Sequence, residues 1–278
     1  MKTKDELIDE LLELAFAEDI GDGDHTTLCC IPETEMGKQH LLVKENGVLA
    51  GVEIAKKVFH KFDPDLKMTV FLNDGAVVAF VVEGKVRSLL QTERLMLNIM
   101  QRMSGIATMT AKYMAELKGL RTKVLDTRKT TPGMRMLEKE AVRIGGGMNH
   151  RIGLFDMILL KDNHVDFAGG IAKAINMANQ YIKDHHKDGM KIEIEVRNFV
   201  ELEEALSTGH VDRIMLDNFT PENTKKAVEM VGGRCELESS GGITFATLRQ
   251  YGECGVDYIS VGALTHSVKG LDLSFKAC

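Results

Sequence analysis

The architecture follows from four short segments, which read IEIEV at 192–196, RIMLD at 213–217, ELESS at 236–240 and YISVG at 258–262. Successive segments start 21, 23 and 22 residues apart, and stretches of helical character fill the gaps between them. Strands that alternate with helices at this spacing predict a parallel sheet. Polar or small residues at the segment ends are typical of the strand ends that form the active-site rim of an α/β barrel.

Two earlier segments have the same form and raise the number of predicted strands to six. They read VLDTR at 124–128 and MILLK at 157–161. Residues 130–155 contain no obvious strand. The pattern therefore predicts an incomplete, irregular TIM-like α/β barrel and not a regular eightfold one.

The first third of the chain has a different texture, with short strands over 39–87 and a predicted helix at 52–62. It predicts a small N-terminal α/β sandwich domain. A capping box at Ser88 and Gln91 predicts the start of a long helix, which Gly105 is expected to interrupt. We therefore expect three parts, which are an N-terminal domain at 1–105, a barrel domain at 106–265 and a C-terminal tail at 266–278.

Composition excludes several classes of protein. The chain has 278 residues, which are enough for a large core without disulfide or metal staples, and a net charge of −6, which argues against a nucleic-acid binder. No apolar run is long enough for a membrane span, so we expect no membrane partner. The acidic N-terminal helix and five cysteines without a C-x-x-C spacing predict a cytoplasmic protein without a disulfide framework.

A cationic stretch covers residues 121–164 and contains nine Lys and Arg residues but only five acidic residues. Several of these cations, including Arg128, Lys129, Arg151 and Lys161, adjoin predicted strand ends or turns. Arginine forks and lysine ammonium groups suit carboxylates and phosphates. The stretch therefore favours a pocket for a small polyanion, although ion pairs with acids on the rim are the alternative.

Two glycine-containing loops follow the last two strands, at 240–242 and 261–263, and His266 lies one turn beyond the second. In barrels the loops at these positions commonly bind phosphate through backbone N–H groups. Helix caps and tight turns are the alternative interpretation. The run Gly145–Gly147 alone is a weaker signal, because three glycines more often form a flexible turn.

Glu195 and Asp217 end two successive strands of the predicted sheet. Carboxylates on the same rim are suited to bind Mg²⁺ or to offset positive charge in a transition state. A structural ion pair with the cationic stretch is the alternative. Glu193 has the same strand parity as Glu195, so the sequence leaves its contribution open.

Several long motifs, in order, resemble those of quinolinate phosphoribosyltransferase, a family also called nicotinate-nucleotide pyrophosphorylase (carboxylating). The resemblance covers nearly the whole chain. It rests on the motifs DTRKTTPG at 126–133, GGGMNHR at 145–151, LKDNH at 160–164, AEDIGDGDHTT at 17–27, TERL at 92–95, QRMSGIAT at 101–108, ESSGGI at 238–243 and VGALTHS at 261–267.

The resemblance implies a two-domain pentosyltransferase of de novo NAD biosynthesis. Such an enzyme joins quinolinate to 5-phosphoribosyl-1-pyrophosphate and gives nicotinate mononucleotide, pyrophosphate and CO₂, with Mg²⁺ as cofactor. The family forms a head-to-tail homodimer with shared active sites, sometimes a higher oligomer. Its C-terminal tail returns to the N-terminal domain.

Matching positions imply a role for each site residue. Arg94 is expected to reach into the partner subunit's site, and the quinolinate carboxylates are expected to be bound by Arg128, His150 and Arg151. The expected catalytic residues are Lys129 and Lys161, which contact phosphoribosyl pyrophosphate and its leaving group, and Glu195 and Asp217, which face the ribose and Mg²⁺. The 5′-phosphate is expected to be held by Ser240, Gly241, Gly262 and His266.

Three other functions remain as alternatives at this point. The first is a paralogue of the same fold, known from molybdate-transport operons, with a different acceptor for the phosphoribosyl group. The second is a Schiff-base aldolase that uses Lys161 as its nucleophile. The third is a sensor that binds phosphoribosyl pyrophosphate without cleaving it, although a pure anion binder gains nothing from Glu195 and Asp217.

Overall fold

The computed structural model describes residues 2–71 and 77–278. Its contacts divide the chain into two compact units, each made of segments that are distant in sequence. Unit 1 comprises Met1–Met109, Thr130–Gly145 and Thr265–Cys278, and unit 2 comprises Thr110–Lys129 and Gly146–Leu264. The predicted domain bounds stay a prediction, because compactness does not establish which segments fold independently.

Helices and strands alternate along most of the chain. In chain order they are α1 Lys4–Ile20, α2 His25–Cys30, β1 Met36–Val43, α3 Val52–Phe62, β2 Lys67–Val70, β3 Val78–Lys85, α4 Val86–Glu116, β4 Lys123–Leu125, α5 Arg135–Ile144, β5 Ile158–Leu160, α6 Asp162–Ala168, α7 Ile171–Asp184, β6 Ile192–Val196, α8 Phe199–Thr208, β7 Arg213–Asp217, α9 Pro221–Val231, β8 Glu236–Ser240, α10 Phe245–Glu253, β9 Tyr258–Ser260, α11 Ala263–His266 and β10 Leu273–Ala277.

Unit 1 contains a four-stranded antiparallel sheet in the order β10-β1-β3-β2. The C-terminal strand pairs along β1, with Leu41 opposite Phe275. Phe59 of α3, Phe80 of β3 and Phe275 of β10 are buried, and the centroids of their rings lie 6.0 to 6.3 Å apart. Each such ring contributes about 1.5–3 kcal/mol by leaving water. The last strand is therefore part of the unit 1 core.

Unit 2 contains a six-stranded parallel sheet in the order β4-β9-β8-β7-β6-β5. The six strands are those predicted from the sequence. Within the described residues, no hydrogen-bonded ladder joins β4 to β5, so the sheet does not close. The predicted fold class, a small α/β domain and an incomplete α/β barrel, is confirmed.

The two faces of the parallel sheet have opposite chemistry. On one face the strands present buried aliphatic side chains, such as Ile194, Ile214 and Leu237. The other face carries charged residues. Glu193 is paired in register with Arg213, and Asp217 with Ser240, so these side chains share that face. A barrel interior is normally filled with branched apolar side chains. The charged face therefore marks where the chemistry of unit 2 lies.

Two details of the predicted long helix were wrong. The helix begins at Val86, directly after β3, so Ser88 lies in its first turn and its hydroxyl donates to Asp63 Oδ2 at 2.5 Å instead of capping. Gly105 does not interrupt the helix. It is buried where residues 269–270 cross, and a Cβ there would collide with the carbonyl oxygen of Lys269.

None of the described helices combines the length and the apolar character that a membrane span requires.

Replacing Gly105 with alanine tests this close approach. The added Cβ meets backbone, which cannot rotate away, so we expect the free energy of unfolding to fall by about 1–3 kcal/mol in urea titrations. Gly252→Ala is the control, because the nearest atoms there are flexible side-chain atoms of Leu117 and Leu120. A Gly105→Ala protein as stable as the wild type would contradict the packing described here.

Candidate active site

The carboxyl edge of the parallel sheet carries five of the twelve predicted site residues. Lys161 follows β5 directly, and Glu195 lies near the end of β6. Asp217 and Ser240 end β7 and β8, and Gly262 follows β9 after one intervening residue. Parallel strands place their carboxyl ends at one edge, which is where ligands bind in open α/β sheets. All five positions belong to unit 2.

Glu195 is the centre of the acidic part of this edge. It is largely buried, and its Oε2 lies 3.8 Å from Lys161 Nζ. Burial raises the pKa of Glu195, the Lys161 charge opposes this, and the neighbouring charges of Asp217 and Asp162 raise it further. Glu195 and Asp217 lie near the ends of the neighbouring strands β6 and β7. Two carboxylates so placed favour the binding of a cation.

Arg151 is the centre of the cationic part. It is mostly buried, and its Nη1 donates to the carbonyl oxygen of Met157 at 3.2 Å. Burial lowers the pKa of Arg151, and the nearby charge of Arg128 lowers it further. Two guanidinium groups that repel each other in a partly dry environment are stabilised by an anion that reaches both.

Asp126 fixes the loop that carries His150 and Arg151. It is fully buried just beyond β4. Its Oδ1 accepts from the backbone N–H of His150 at 2.9 Å, and its Oδ2 accepts from Asn149 Nδ2 at 2.6 Å. Hydrogen bonds to a buried carboxylate are strong, and losing one partner leaves a costly group. This aspartate therefore ties the end of β4 to the Asn-His-Arg segment.

His150 is fixed at one ring nitrogen and has acidic side chains beside the other. Its Nδ1 accepts from the backbone N–H of Arg151 at 2.7 Å. Its Nε2 lies 3.0 Å from Glu193 Oε2 and 3.6 Å from Glu238 Oε2, as close charge contacts without the alignment of a hydrogen bond. The predicted contact between His150 and quinolinate stays a prediction.

A buried charged tier lies on the same face of the sheet, made of Glu193, Glu238 and Arg213. Arg213 Nη1 is 3.0 Å from Glu238 Oε2, and the Arg213 guanidinium lies 4.1 Å from the centre of the Tyr258 ring. Burial raises the pKa of Glu193 to about 7, against the charge of Arg213. Burial and the Glu193 charge raise the pKa of Glu238 to about 8.

The loop after β8 has a conformation that requires glycine. Gly241 has a φ of +94°, and a Cβ at this position would collide with the side-chain amide of Asn218. Asn218 is itself left-handed, with a φ of +55°, and its N–H donates to the carbonyl oxygen of Ser240 at 2.9 Å. Its Nδ2 donates to Asp217 Oδ2 at 2.8 Å. The Asp217 strand end and the glycine loop are therefore coupled.

The four remaining predicted residues are exposed. Arg128 and Lys129 are exposed in the segment that follows β4. Arg94, on α4, and His266, at the end of α11, are exposed and belong to unit 1. Their predicted roles stay predictions.

Three residues gained importance only in the structure, namely Asp126, Asn218 and Glu238. Asp126 and Glu238 stand inside motifs quoted above but received no role, because strand parity alone does not show what a buried carboxylate contacts. The signal for Asn218 was its place directly after a strand-ending aspartate, since asparagine tolerates the left-handed conformation better than most residues.

Comparison with known proteins agrees with this arrangement. Residues 24–104 match the N-terminal domain of quinolinate phosphoribosyl transferase, and residues 106–276 match its C-terminal domain. The chain belongs to the quinolinate phosphoribosyltransferase family. The resemblance inferred from the sequence is thereby confirmed, and the predicted activity is the activity named for this family.

Individual relatives are similar over most of their length. The chain is 45% identical to quinolinate phosphoribosyltransferase [decarboxylating] 1b of Nicotiana tabacum, covering 96% of this chain and 81% of the relative. It is 41% identical to a probable nicotinate-nucleotide pyrophosphorylase [carboxylating] of Bacillus subtilis, covering 95% and 91%. The solved nicotinate-nucleotide pyrophosphorylase of Francisella tularensis superposes with a TM-score of 0.91 at 38% identity, covering 100% and 98%.

Replacing Asp126 with alanine tests whether it anchors the 149–151 segment. We expect the free energy of unfolding to fall by about 2–3 kcal/mol. We also expect amide hydrogen exchange at His150 to accelerate at least tenfold, because its N–H loses its acceptor. Asp257→Ala is the control, since Asp257 accepts from the N–H of Leu237 at 2.9 Å near the opposite end of the sheet. Equal exchange rates at His150 in the two variants would contradict the anchoring role.

Proposed function

We propose that this chain transfers the 5-phosphoribosyl group from phosphoribosyl pyrophosphate to quinolinate, with loss of CO₂, in de novo NAD biosynthesis. Family membership supports the reaction. One observation in the structure carries it further. In unit 2 the buried Arg151 and the exposed Arg128 are near enough for their charges to interact, and Glu195, near the end of β6 and 3.8 Å from Lys161, adjoins Asp217 at the end of β7. A dianionic acceptor suits the first pair, and a developing ribosyl cation suits the second.

Quinolinate carries two adjacent carboxylates, so it offers one anionic group to each guanidinium. Arg151 is held by Met157 and by the anchored backbone of residues 149–151, so its position is set before the substrate arrives. Preorganisation of this kind reduces the entropy lost on binding. Arg128 and His150 complete the proposed acceptor subsite.

The phosphoribosyl donor is proposed to lie between the lysines and the glycine loops. Lys129 and Lys161 contact the pyrophosphate, and Ser240, Gly241, Gly262 and His266 hold the 5′-phosphate. The glycine at 241 supports this, because a loop without a side chain lets backbone N–H groups approach an oxyanion closely.

The carboxylates of Glu195 and Asp217 fit Mg²⁺, which prefers oxygen ligands and is usually held by one or two carboxylates together with substrate phosphates. We propose that these two residues hold the ion. Bound Mg²⁺ would neutralise charge on the departing pyrophosphate. The same carboxylates face the ribose, where they offset positive charge as the bond from C1 to the pyrophosphate oxygen breaks.

The pyridine nitrogen then forms its bond to C1 and becomes cationic. This cation accepts the electron pair released when the bond between C2 and its carboxylate breaks, and a proton replaces CO₂ at C2. The proposed task of Arg151 and Arg128 is to orient the ring so that the nitrogen faces C1.

We also propose that the enzyme is a homodimer with shared sites, in some conditions a higher oligomer. Arg94 is exposed on α4, as the proposed contact with the partner's site requires. Unit 2 exposes a run of apolar side chains around one groove beside β5, the open edge of the sheet. These are Leu154, Phe155, Phe167, Met177 and Tyr181. Exposed apolar patches of this kind are typical of protein interfaces.

We propose a cytoplasmic location for this chain. All five cysteines are free thiols, as expected in a reducing compartment. Some plant relatives are named as mitochondrial or chloroplastic. Fractionation of the source cells with an antibody against the chain tests the proposal, and recovery outside the cytosolic fraction would refute it.

The reaction is tested by product analysis. Purified protein with Mg²⁺, phosphoribosyl pyrophosphate and quinolinate labelled in the 2-carboxylate should release labelled CO₂ and nicotinate mononucleotide in equal amounts. Arg151→Ala should lower kcat/KM for quinolinate at least a hundredfold, because it removes a partly buried carboxylate partner. Release of neither product by folded wild-type protein would favour the paralogue with another acceptor.

The shared site is tested by mixing two inactive variants. Arg94→Ala and Lys161→Ala should each be inactive alone. After subunit exchange, their mixture should regain up to about a quarter of wild-type activity, since half of the dimers are heterodimers with one intact site of two. Mass spectrometry of the mixture confirms exchange. Heterodimers without activity would contradict a site built from both subunits.

A further inference from the structure

In the proposed reaction, the residues near the carboxyl edge of the parallel sheet contact the substrates. The buried charged tier of Glu193, Glu238 and Arg213 has no role in that reaction. Glu193 and Glu238 are both fully buried. A buried carboxylate costs several kcal/mol unless it is paired or protonated. Two buried carboxyl groups on one face of a sheet therefore lower the stability of the fold, and their contacts show which residues they restrain.

The first contact is with a cation. Arg213 Nη1 lies 3.0 Å from Glu238 Oε2, and Arg213 also pairs with Glu236 at 3.0 Å. The guanidinium stacks on the Tyr258 ring, which limits its movement. Arg213 therefore fixes the Glu238 carboxylate from one side.

The second contact is with His150. The ring nitrogen Nδ1 accepts from the N–H of Arg151, so the ring proton must be on Nε2. Nε2 is the atom that lies 3.0 Å from Glu193 Oε2 and 3.6 Å from Glu238 Oε2. The Arg151 N–H sets the tautomer. The two buried glutamates, whose contacts with Nε2 are close but not aligned as hydrogen bonds, restrain the orientation of the ring by charge and packing.

The chain of contacts ends at the proposed substrate subsite. With the ring fixed, Nδ1 holds the backbone N–H of Arg151, while Asp126 holds the backbone N–H of His150. The two successive peptide units that precede the Arg151 side chain are thereby each restrained. If the ring turned, Arg151 would lose one of these two restraints.

We propose that Glu193 and Glu238 are positioning residues which act through His150 to hold Arg151 in place for the acceptor. The inference rests on the proposed function, since it assigns Arg151 to the quinolinate carboxylates. It also answers what Glu193 does, because this residue serves the acceptor subsite, whereas Glu195, two positions along the strand, serves the ribose and its leaving group.

A metal ion is the main alternative for this cluster. Donor atoms of His150, Glu193 and Glu238 lie within 4.8 Å of one another. Arg213 already supplies a positive charge to Glu238, however, and the His150 proton on Nε2 occupies the place that a metal would need. Metal analysis of the purified protein separates the two possibilities, and one bound ion per chain that is lost in Glu193→Gln would overturn the proposal.

The test compares three variants by steady-state kinetics and by calorimetric titration of quinolinate. Glu193→Ala should raise both the KM and the Kd for quinolinate at least tenfold and leave the KM for phosphoribosyl pyrophosphate within twofold. Glu193→Gln should restore most of the quinolinate affinity, because its amide keeps the size and polarity of the carboxyl group beside Nε2 and its amide N–H₂ can donate to Glu238. Glu236→Gln is the matched control, since Glu236 contacts Arg213 but is not among the groups near His150, and it should bind quinolinate like the wild type.

A merely structural role predicts a different pattern. It would reduce the folded fraction, lower kcat and leave both KM values unchanged, and Gln would not restore affinity selectively. That result, or wild-type affinity in Glu193→Ala, would overturn the proposal. If Glu193→Ala does not fold, Glu193→Met replaces it, because it keeps most of the side-chain volume and lacks the carboxylate. An unchanged quinolinate Kd in folded Glu193→Met protein would likewise overturn the proposal. Wild-type protein that binds no quinolinate would refute the proposed function instead.

Discussion

Arg151 lies in a largely buried position close to another cation, and the neighbouring segments of unit 2 hold it there. Burial and the Arg128 charge both lower the pKa of Arg151, and the charges of Glu193 and Asp156 oppose this shift. A flexible arginine in this environment would turn towards water. The carbonyl oxygen of Met157, the carboxylate of Asp126 and the ring of His150 prevent this movement, either directly or through the backbone.

The charged interior of the sheet has the same explanation. Parallel strands place Glu193 and Arg213 at one level, Glu195 at the next and Asp217 at the level nearest the carboxyl edge, all on one face. Glu193 is fully buried and Arg213 is largely covered, so these two support other residues, whereas Glu195 and Asp217 are placed to reach a ligand. The position along the strand therefore determines whether a residue supports its neighbours or contacts a ligand. Glu193 and Glu195 are two residues apart on the same face and differ in this way.

The sequence was sufficient for the parts of the fold that depend on local pattern. Six strands, the helix at 52–62 and the open sheet could be predicted because apolar periodicity and spacing determine them. Gly105 was misread because its reason lies more than 160 residues further along the chain, at the carbonyl oxygen of Lys269. A glycine that allows a close approach looks in sequence like a glycine that ends a helix.

The candidate site divides in the same way. Glu195 and Asp217 could be named because strand ends are visible in the sequence. The partners of His150 could not, since Glu193 and Glu238 come from two strands that neither precede nor follow it directly, and only the register of the sheet brings them together. Arg94 and His266 belong to unit 1, whereas the site described above belongs to unit 2. The roles proposed for these two residues therefore rest on the family resemblance.

The most direct measurement is a calorimetric comparison of quinolinate with nicotinate, which lacks one of the two carboxylates, in the presence of Mg²⁺ and pyrophosphate. A pair of repelling arginines held in place for a dianion predicts that quinolinate binds at least tenfold more tightly, a difference of about 1.4 kcal/mol. The advantage should disappear in Arg151→Ala. Equal affinity of the wild-type protein for the two compounds would contradict the claim that this edge of the sheet is built for a dianion.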